Sequence, residues 1–276
     1  MRSLLVALDD TPAGAGAVKF ALFLATKHDA AVTGTSVLDV DYLTPREPGG
    51  IGTAYYKFKA DIARLKQGHD LTERLLATFR EQCTARNVKG DVLALEGRPW
   101  EELGAAAAAH DVIVIGRDCD LHGEPSGGLA KTVEKILREN PRPLLITPVM
   151  VQEPSRIVIA YDGSVPAART LQIFTLLGLA SNCEIHVISI DPVQDVADRC
   201  VGHASAYLRL YDTACITRAI ASGANPADLV MAEARALSAN LLVMGAYGHR
   251  GWKEALLGSF TTHLLSECPT TLFIHH

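Results

Sequence analysis

The chain has 276 residues, 48% of them apolar and 21% charged, which is the balance of an ordinary globular protein and excludes disordered and fibrous classes. At roughly 150 residues per domain, such a length fits two domains of similar size. The bases number 26 and the acids 31, so no basic excess is available to neutralise a phosphate backbone, and nucleic acid is not an expected partner.

The opening MRSLLVALDD carries a short apolar stretch that ends at Asp9 and Asp10. It is shorter than the roughly 7–15 apolar residues of a secretory signal and reads as a buried first strand. A helical pattern follows (AGAVKFALFLAT), then a second strand, AAVTGTSVLD, ending at Asp39. Next come a loop, REPGGIGTAYY, and an amphipathic helix from about Asp61 to Arg86. A third strand closes on Gly97-Arg98-Pro99, the helix EELGAAAAAH leads to the strand DVIVIG, and a last helix leads to PLLITP. No apolar run approaches the ~20 residues of a membrane span, so no membrane is expected among the partners. The six cysteines (Cys83, Cys119, Cys183, Cys200, Cys215, Cys268) are scattered without a CxxC pair, as reduced thiols of a cytoplasmic protein would be.

After a Pro-bearing stretch, Thr147 to Ser155, the pattern repeats. Ile157 to Gly163 matches Leu4 to Asp10, PAARTLQIFTLLGLA is the first helix, and CEIHVISID ends at Asp191. Thirty residues separate Asp9 from Asp39 and twenty-nine separate Asp162 from Asp191. The third strand closes on Gly223-Ala224-Asn225-Pro226, followed by the helix ADLVMAEARAL, the strand NLLVMG and the last strand TTLFIHH. Short unbroken apolar strands alternating with helices predict two doubly wound parallel-sheet domains in tandem, 1–148 and 155–276, each with its ligand crevice beyond the carboxyl ends of its strands. The copies differ in one segment. Asp39 to Gly97 spans 58 residues and Asp191 to Gly223 only 32, the second copy having a short helix from about Asp195 to Leu210. The halves therefore do different jobs.

The strand NLLVMG runs into GAYGHRGWKEALLGSF, in which Gly245, two residues, Gly248, nine residues, and Gly258-Ser259 are spaced in order. Glycines admit backbone amides close to an anion, and a helix beginning at Gly258-Ser259 adds unpaired N–H groups and a hydroxyl. This spacing resembles the ATP-binding signature of the universal stress protein family, and the resemblance runs through both halves, as in that family's tandem members. It implies the adenine-nucleotide α-hydrolase-like fold, pairing of the two domains within the chain partly through their last strands, a possible further homodimer, and ATP, with Mg2+, as cofactor. By position it implies that Ala160, Tyr161 and Asp162 contact the adenosine part and that Ile190 bonds adenine through its backbone. Met244 and Gly245 would line the ribose side, and Gly248, Gly258, Ser259 and Phe260 the triphosphate. Tyr161 and Phe260 are larger than is usual in the family and would crowd the pocket. Asp162 has a second reading, as the cap of the turn after its strand. His249, Arg250 and Lys253, inside the nine-residue span, either screen phosphate charge or form a solvated face.

The first half is degenerate at this loop. It keeps Gly116, but Cys119 stands where Gly248 would be, and Ala130-Lys131 where Gly258-Ser259 would be, with Gly127 and Gly128 nearby. This half is expected to have lost ATP binding or to take another ligand. Cys119 reads as a buried inert thiol or as a redox sensor. Ser126-Gly127-Gly128 follows the fourth strand, not the first as in adenylating synthetases. Asp9-Asp10 lacks the strand-three aspartate of a phosphoacceptor receiver. No nucleophile–base pair, HExxH motif or Walker lysine is present, and no functional metal site is expected from His249, His263, His275 and His276. The expected function is a nucleotide-gated stress or regulatory protein with ATP in the second half. Alternatives are a slow ATPase or autokinase, and an apolar-ligand carrier or scaffold working through the first half, with the segment from Ile51 to Phe79 as its lid.

Overall fold

The computed structural model describes residues 1–45, 54–122, 129–246 and 259–276. The first half runs β1 (Ser3–Ala7), α1 (Pro12–His28), β2 (Ala31–Leu38), α2 (Val40–Leu43), α3 (Ala54–Ala85), β3 (Gly90–Glu96), α4 (Pro99–Ala106), β4 (Val112–Gly116), α5 (Lys131–Glu139) and β5 (Leu144–Thr147). The second runs β6 (Arg156–Ala160), α6 (Val165–Leu176), β7 (Glu184–Asp191), α7 (Gln194–Arg209), β8 (Ile216–Ala221), α8 (Pro226–Ala236), β9 (Leu241–Gly245), α9 (Ser259–Glu267) and β10 (Thr271–His275).

The helices start where local chemistry dictates. Thr11 accepts the Gly14 N–H at 3.0 Å ahead of Pro12, and Asp29 closes α1 in the left-handed region at φ 47°. Ser164 repeats the device at α6, accepting from Ala167 at 3.3 Å. The amphipathic helix expected from about Asp61 begins earlier, at Ala54, because no breaker lies between Gly52 and Asp61.

The strands form one ten-stranded sheet in the order β3-β2-β1-β4-β5-β10-β9-β6-β7-β8. Every neighbouring pair is parallel except β5 and β10, which meet antiparallel with Leu272 opposite Ile146, Phe273 opposite Leu145 and Ile274 opposite Leu144. The last strands thus pair the two domains within the chain. Alternate strand residues enter opposite cores. Leu4, Val6, Ile157, Ile159 and Phe273 pack on one face, and Leu5, Ala7, Val158, Ile146 and Ile274 on the other, so each core is continuous across both halves. Burial on both faces is why these strands read as unbroken apolar runs. Polar clasps reinforce the junction. The Met1 ammonium donates to the Leu177 carbonyl at 3.0 Å and Lys27 to the Ser181 carbonyl at 2.8 Å, while the half-buried Arg117 guanidinium donates to the Cys268 carbonyl at the end of α9. The linker ends on Asn240, whose Oδ1 accepts the N–H groups of Ser155 and Arg156, both at 2.8 Å. Among the described residues no helix is long and apolar enough to cross a membrane.

His275, at the end of β10, is buried, and burial together with the neighbouring His276 and Arg169 charges lowers its pKa from 6.5 to about 4. The folded state therefore holds His275 neutral where the unfolded chain protonates it. Unfolding binds a proton in that window, so stability is full above pH 6.5 and falls as the pH drops toward 4. Urea melts through this range should show the decline, and His275→Gln should flatten it above pH 5, before carboxylates titrate.

Candidate functional site

In the second half β6 has β7 on one side and β9 on the other, so the chain direction across the sheet reverses at β6. Helices leaving neighbouring strand ends diverge there and open a crevice. It holds a cavity of about 440 Å³ lined by the ends of β6, β7 and β9, the first residues of α8, and Phe260 in the first turn of α9. Seven expected site residues line it together: Ala160, Tyr161, Asp162, Ile190, Met244, Gly245 and Phe260. Tyr161 and Phe260 leave this volume in place. Gly248, His249, Arg250, Lys253 and Gly258 lie outside the described residues, as do Gly127 and Gly128. Ser259 is the first residue of α9, and Lys131 the first of α5, which matches the alignment of the two loops.

Asp162 serves both readings given to it. Its Oδ1 accepts the Ser164 N–H at 3.0 Å, fixing the turn through Gly163 (φ 75°), and its half-buried carboxylate still borders the cavity. Tyr161 is kept a neutral phenol, because burial, then Cys200 and Asp162, raise its pKa. The Cys200 thiol, bonded to the Ser189 hydroxyl, is likewise pushed up, chiefly by burial. Asn225 caps α8 by accepting the Ala227 N–H at 3.1 Å. The walls are mostly apolar (Ile188, Ile190, Val196, Val230, Met244), and the polar groups collect at Asp162, Ser189, Asp191 and Asn225. Ser189, Cys200 and Val230 carried no signal in the sequence, since each is one of many core-facing residues on its element. Asn225 was signalled by its place after the third strand.

Gly245 has a duty that its motif does not announce. A Cβ there would lie 2.5 Å from the Ala167 nitrogen, and one at Gly116 would lie 2.7 Å from the Gly14 nitrogen. Both glycines let the first helix of their half rest on the end of the fourth strand. Packing, and not an anion, explains why the degenerate half keeps Gly116.

The first-half crevice is built differently. The segment Arg117 to His122 folds back over the ends of β1 and β2. Asp9, the counterpart of Asp162, is buried and accepts the N–H groups of Asp10 at 2.7 Å and Leu121 at 3.1 Å. Leu121 adopts a left-handed backbone (φ 64°), which turns its side chain into the core. Cys119 is fully buried and bonded to Asp9, and burial, with the Asp9 charge second, raises its pKa well above the ordinary thiol value. That is the inert thiol of the two readings given to it. His122 Nε2 pairs with Asp39 Oδ2 at 3.1 Å, and its ring stacks on Tyr42 at 3.7 Å, 2° from parallel. Among the described residues no group of three His, Cys, Asp or Glu side chains is placed to hold a metal ion, and His263 pairs with Asp228 at 3.1 Å.

A doubly wound sheet repeated in tandem, with an open crevice at the strand-order reversal of the second half, is the adenine-nucleotide α-hydrolase-like fold in two fused domains. The family model described as the universal stress protein family matches residues 1–148 and again 154–276, and the chain belongs to that family. A universal stress protein of Synechocystis sp. is 24% identical over 281 residues, covering 96% of both chains. The crystal structure of a universal stress protein from Archaeoglobus fulgidus superposes with a TM-score of 0.75 at 17% identity, over 99% of this chain and 97% of that one. A putative universal stress protein from Pseudomonas aeruginosa gives 0.60 at 18% identity, over 100% and 93%. These structural likenesses show the fold.

Gly116→Ala and Gly245→Ala should each cost about 1–3 kcal/mol in denaturant melts, since the added methyl meets backbone and not a flexible side chain. A loss of ligand binding by Gly245→Ala with unchanged stability would reverse the assignment of that glycine.

Proposed function

We propose that the second half holds an adenine nucleotide, ATP with Mg2+, and that the protein works as a nucleotide-gated regulatory member of its family. The observation that supports this most is the contrast between the crevices. The strand-one acid borders a cavity of about 440 Å³ in the second half, whereas in the first it is consumed by Leu121 and Cys119. A slot walled by Ile188, Ile190 and Val230 suits a purine face, and a carboxylate at its edge suits ribose hydroxyls, which need an acceptor on leaving water. The phosphates would fall to the loop between Gly245 and Ser259, whose glycine spacing carries that part of the reading. Against the carrier reading stands the polar rim of the first-half crevice, where Asp9 accepts from Leu121 and Asp39 pairs with His122.

Calorimetric titration of the intact protein with Mg-ATP should show micromolar binding at one site per chain, lost in Gly258→Val. Asp162→Asn keeps an acceptor for the Ser164 N–H but removes the charge, and should weaken binding on the order of 10-fold or more without lowering the melting temperature. An absence of heat in the native protein would sink the reading.

The gating step has its own test. Amide protection across Gly245 to Ser259 should rise with ATP, and equal protection with and without it would reduce the protein to a passive binder.

A further inference from the structure

The extra length of the first half lies in α3, and α3 is longer than the sheet it covers. One stripe of its residues recurs in steps of three and four: Phe58, Ile62, Leu65, His69, Thr72, Leu76, Phe79 and Cys83. The later members of this stripe are core. Phe79 is 2% exposed and seated on Gly34 of β2, where a Cβ would come within 2.5 Å of its ring, and Leu76 is 7% exposed. The fourteen residues of α3 before Gly68 extend the helix by about 20 Å at 1.5 Å per residue. Their inner face stays half-covered, with Gly68 against Leu38, the last residue of β2, and Leu43 of α2, and with Leu65, Asp61 and Lys57 half-buried. Beside that face Phe58 is 63% and Ile62 49% exposed, and Tyr55 and Tyr56 add two more exposed rings. The matching helix of the second half, α7, has only 16 residues and carries no such extension.

The charge on this extension opposes that of the whole chain. Lys57, Lys59, Arg64 and Lys66 accompany a single acid, Asp61, in a protein whose net charge is −5. Lys57 donates to the Pro45 carbonyl, Arg64 lies 3.5 Å from Asp61, and Lys59 sits 4.7 Å over the Tyr55 ring, while Lys66 is exposed. Lys59 and Lys66 share the azimuth of Tyr55 and Ile62 on the helix, so aromatic and basic groups point the same way. A second copy of the chain would set this excess positive charge against its like. An apolar ligand drawn into the crevice beside it would meet Asp9, Asp10 and Asp39. Interleaved aromatics and lysines on one helix face match the boundary between acyl chains and anionic headgroups, where rings and aliphatic side chains sink and ammonium groups stay with phosphate.

We propose that the N-terminal turns of α3, Tyr55 to Lys66, dock this protein on an anionic lipid surface. The expectation of no membrane partner rested on the lack of a spanning run, which does not bear on a local surface helix. The inference does not depend on nucleotide binding in the other half.

Flotation of the intact protein with vesicles of phosphatidylcholine alone, and of phosphatidylcholine mixed with phosphatidylglycerol, tests it. Binding should occur on the mixed vesicles only and weaken with added salt. Phe58→Ser with Ile62→Ser should abolish it, and Lys59→Gln with Lys66→Gln should weaken it on the order of 10- to 30-fold. All four side chains lie outside the core, so thermal unfolding of both variants should match the native protein. Absence from both vesicle types, equal binding to both, or indifference to either variant would overturn the proposal. So would a dimer by light scattering that Phe58→Ser dissociates, which would assign the face to a second copy.

Discussion

The antiparallel ladder between β5 and β10 is the contact on which the rest of the structure depends. In a lone domain each of these strands would be an edge, with a row of unpaired N–H and C=O groups beside side chains that belong in a core. Pairing Leu144–Ile146 with Leu272–Ile274 satisfies both edges at once and makes each face of the sheet a single core. The junction also reaches the crevices. The last carbonyl of β10, on His275, accepts the Ala246 N–H at 2.7 Å and the Thr170 hydroxyl at 3.0 Å, fixing the chain as it leaves β9. The first half repeats this at Thr147, whose carbonyl accepts the Arg117 N–H at 3.0 Å.

From these equivalent starting points the halves diverge within a few residues. Arg117 to His122 needs only one left-handed residue, Leu121, to bring a backbone N–H onto Asp9 and a leucine side chain into the core. Cys119 helps, because a thiol placed against a buried carboxylate stays protonated and donates. In the second half Gly163 and the Ser164 cap turn Asp162 toward its own loop, and the neighbouring cavity persists. One fold thus gives a self-bound crevice and an open one through a handful of hydrogen bonds.

The first half spends its additional residues outward. The N-terminal turns of α3 leave Tyr55, Tyr56, Phe58 and Ile62 in water, and apolar groups exposed together mark a contact surface. The two halves therefore differ in what they present, an open cavity of about 440 Å³ in the second and a long helix with exposed apolar groups in the first.

Much of this was legible in the chain itself. Apolar runs of strand length, helical periodicity, the acids at Asp9, Asp39, Asp162 and Asp191 and the spaced glycines are local patterns, so the repeat and the doubly wound class followed from them, while most of the crevice residues came by position from the family resemblance that the spaced glycines carry. Pairing through the last strands was implied by family resemblance alone, and its antiparallel sense belongs to the structure, since nothing in LLIT or TLFIH encodes which edge will meet it. Three further matters belonged to the tertiary structure. Leu121 takes a conformation that leucine seldom adopts, held by a carboxylate more than a hundred positions away in sequence. Gly245 and Gly116 read as parts of a phosphate loop, yet the close approach of a helix start accounts for both. The stripe of α3 has one period throughout, so only the tertiary packing separates Leu76 and Phe79 in the core from the exposed Phe58 and Ile62. Periodicity and spacing record what a residue's immediate neighbours require, whereas contacts between distant segments leave no such imprint.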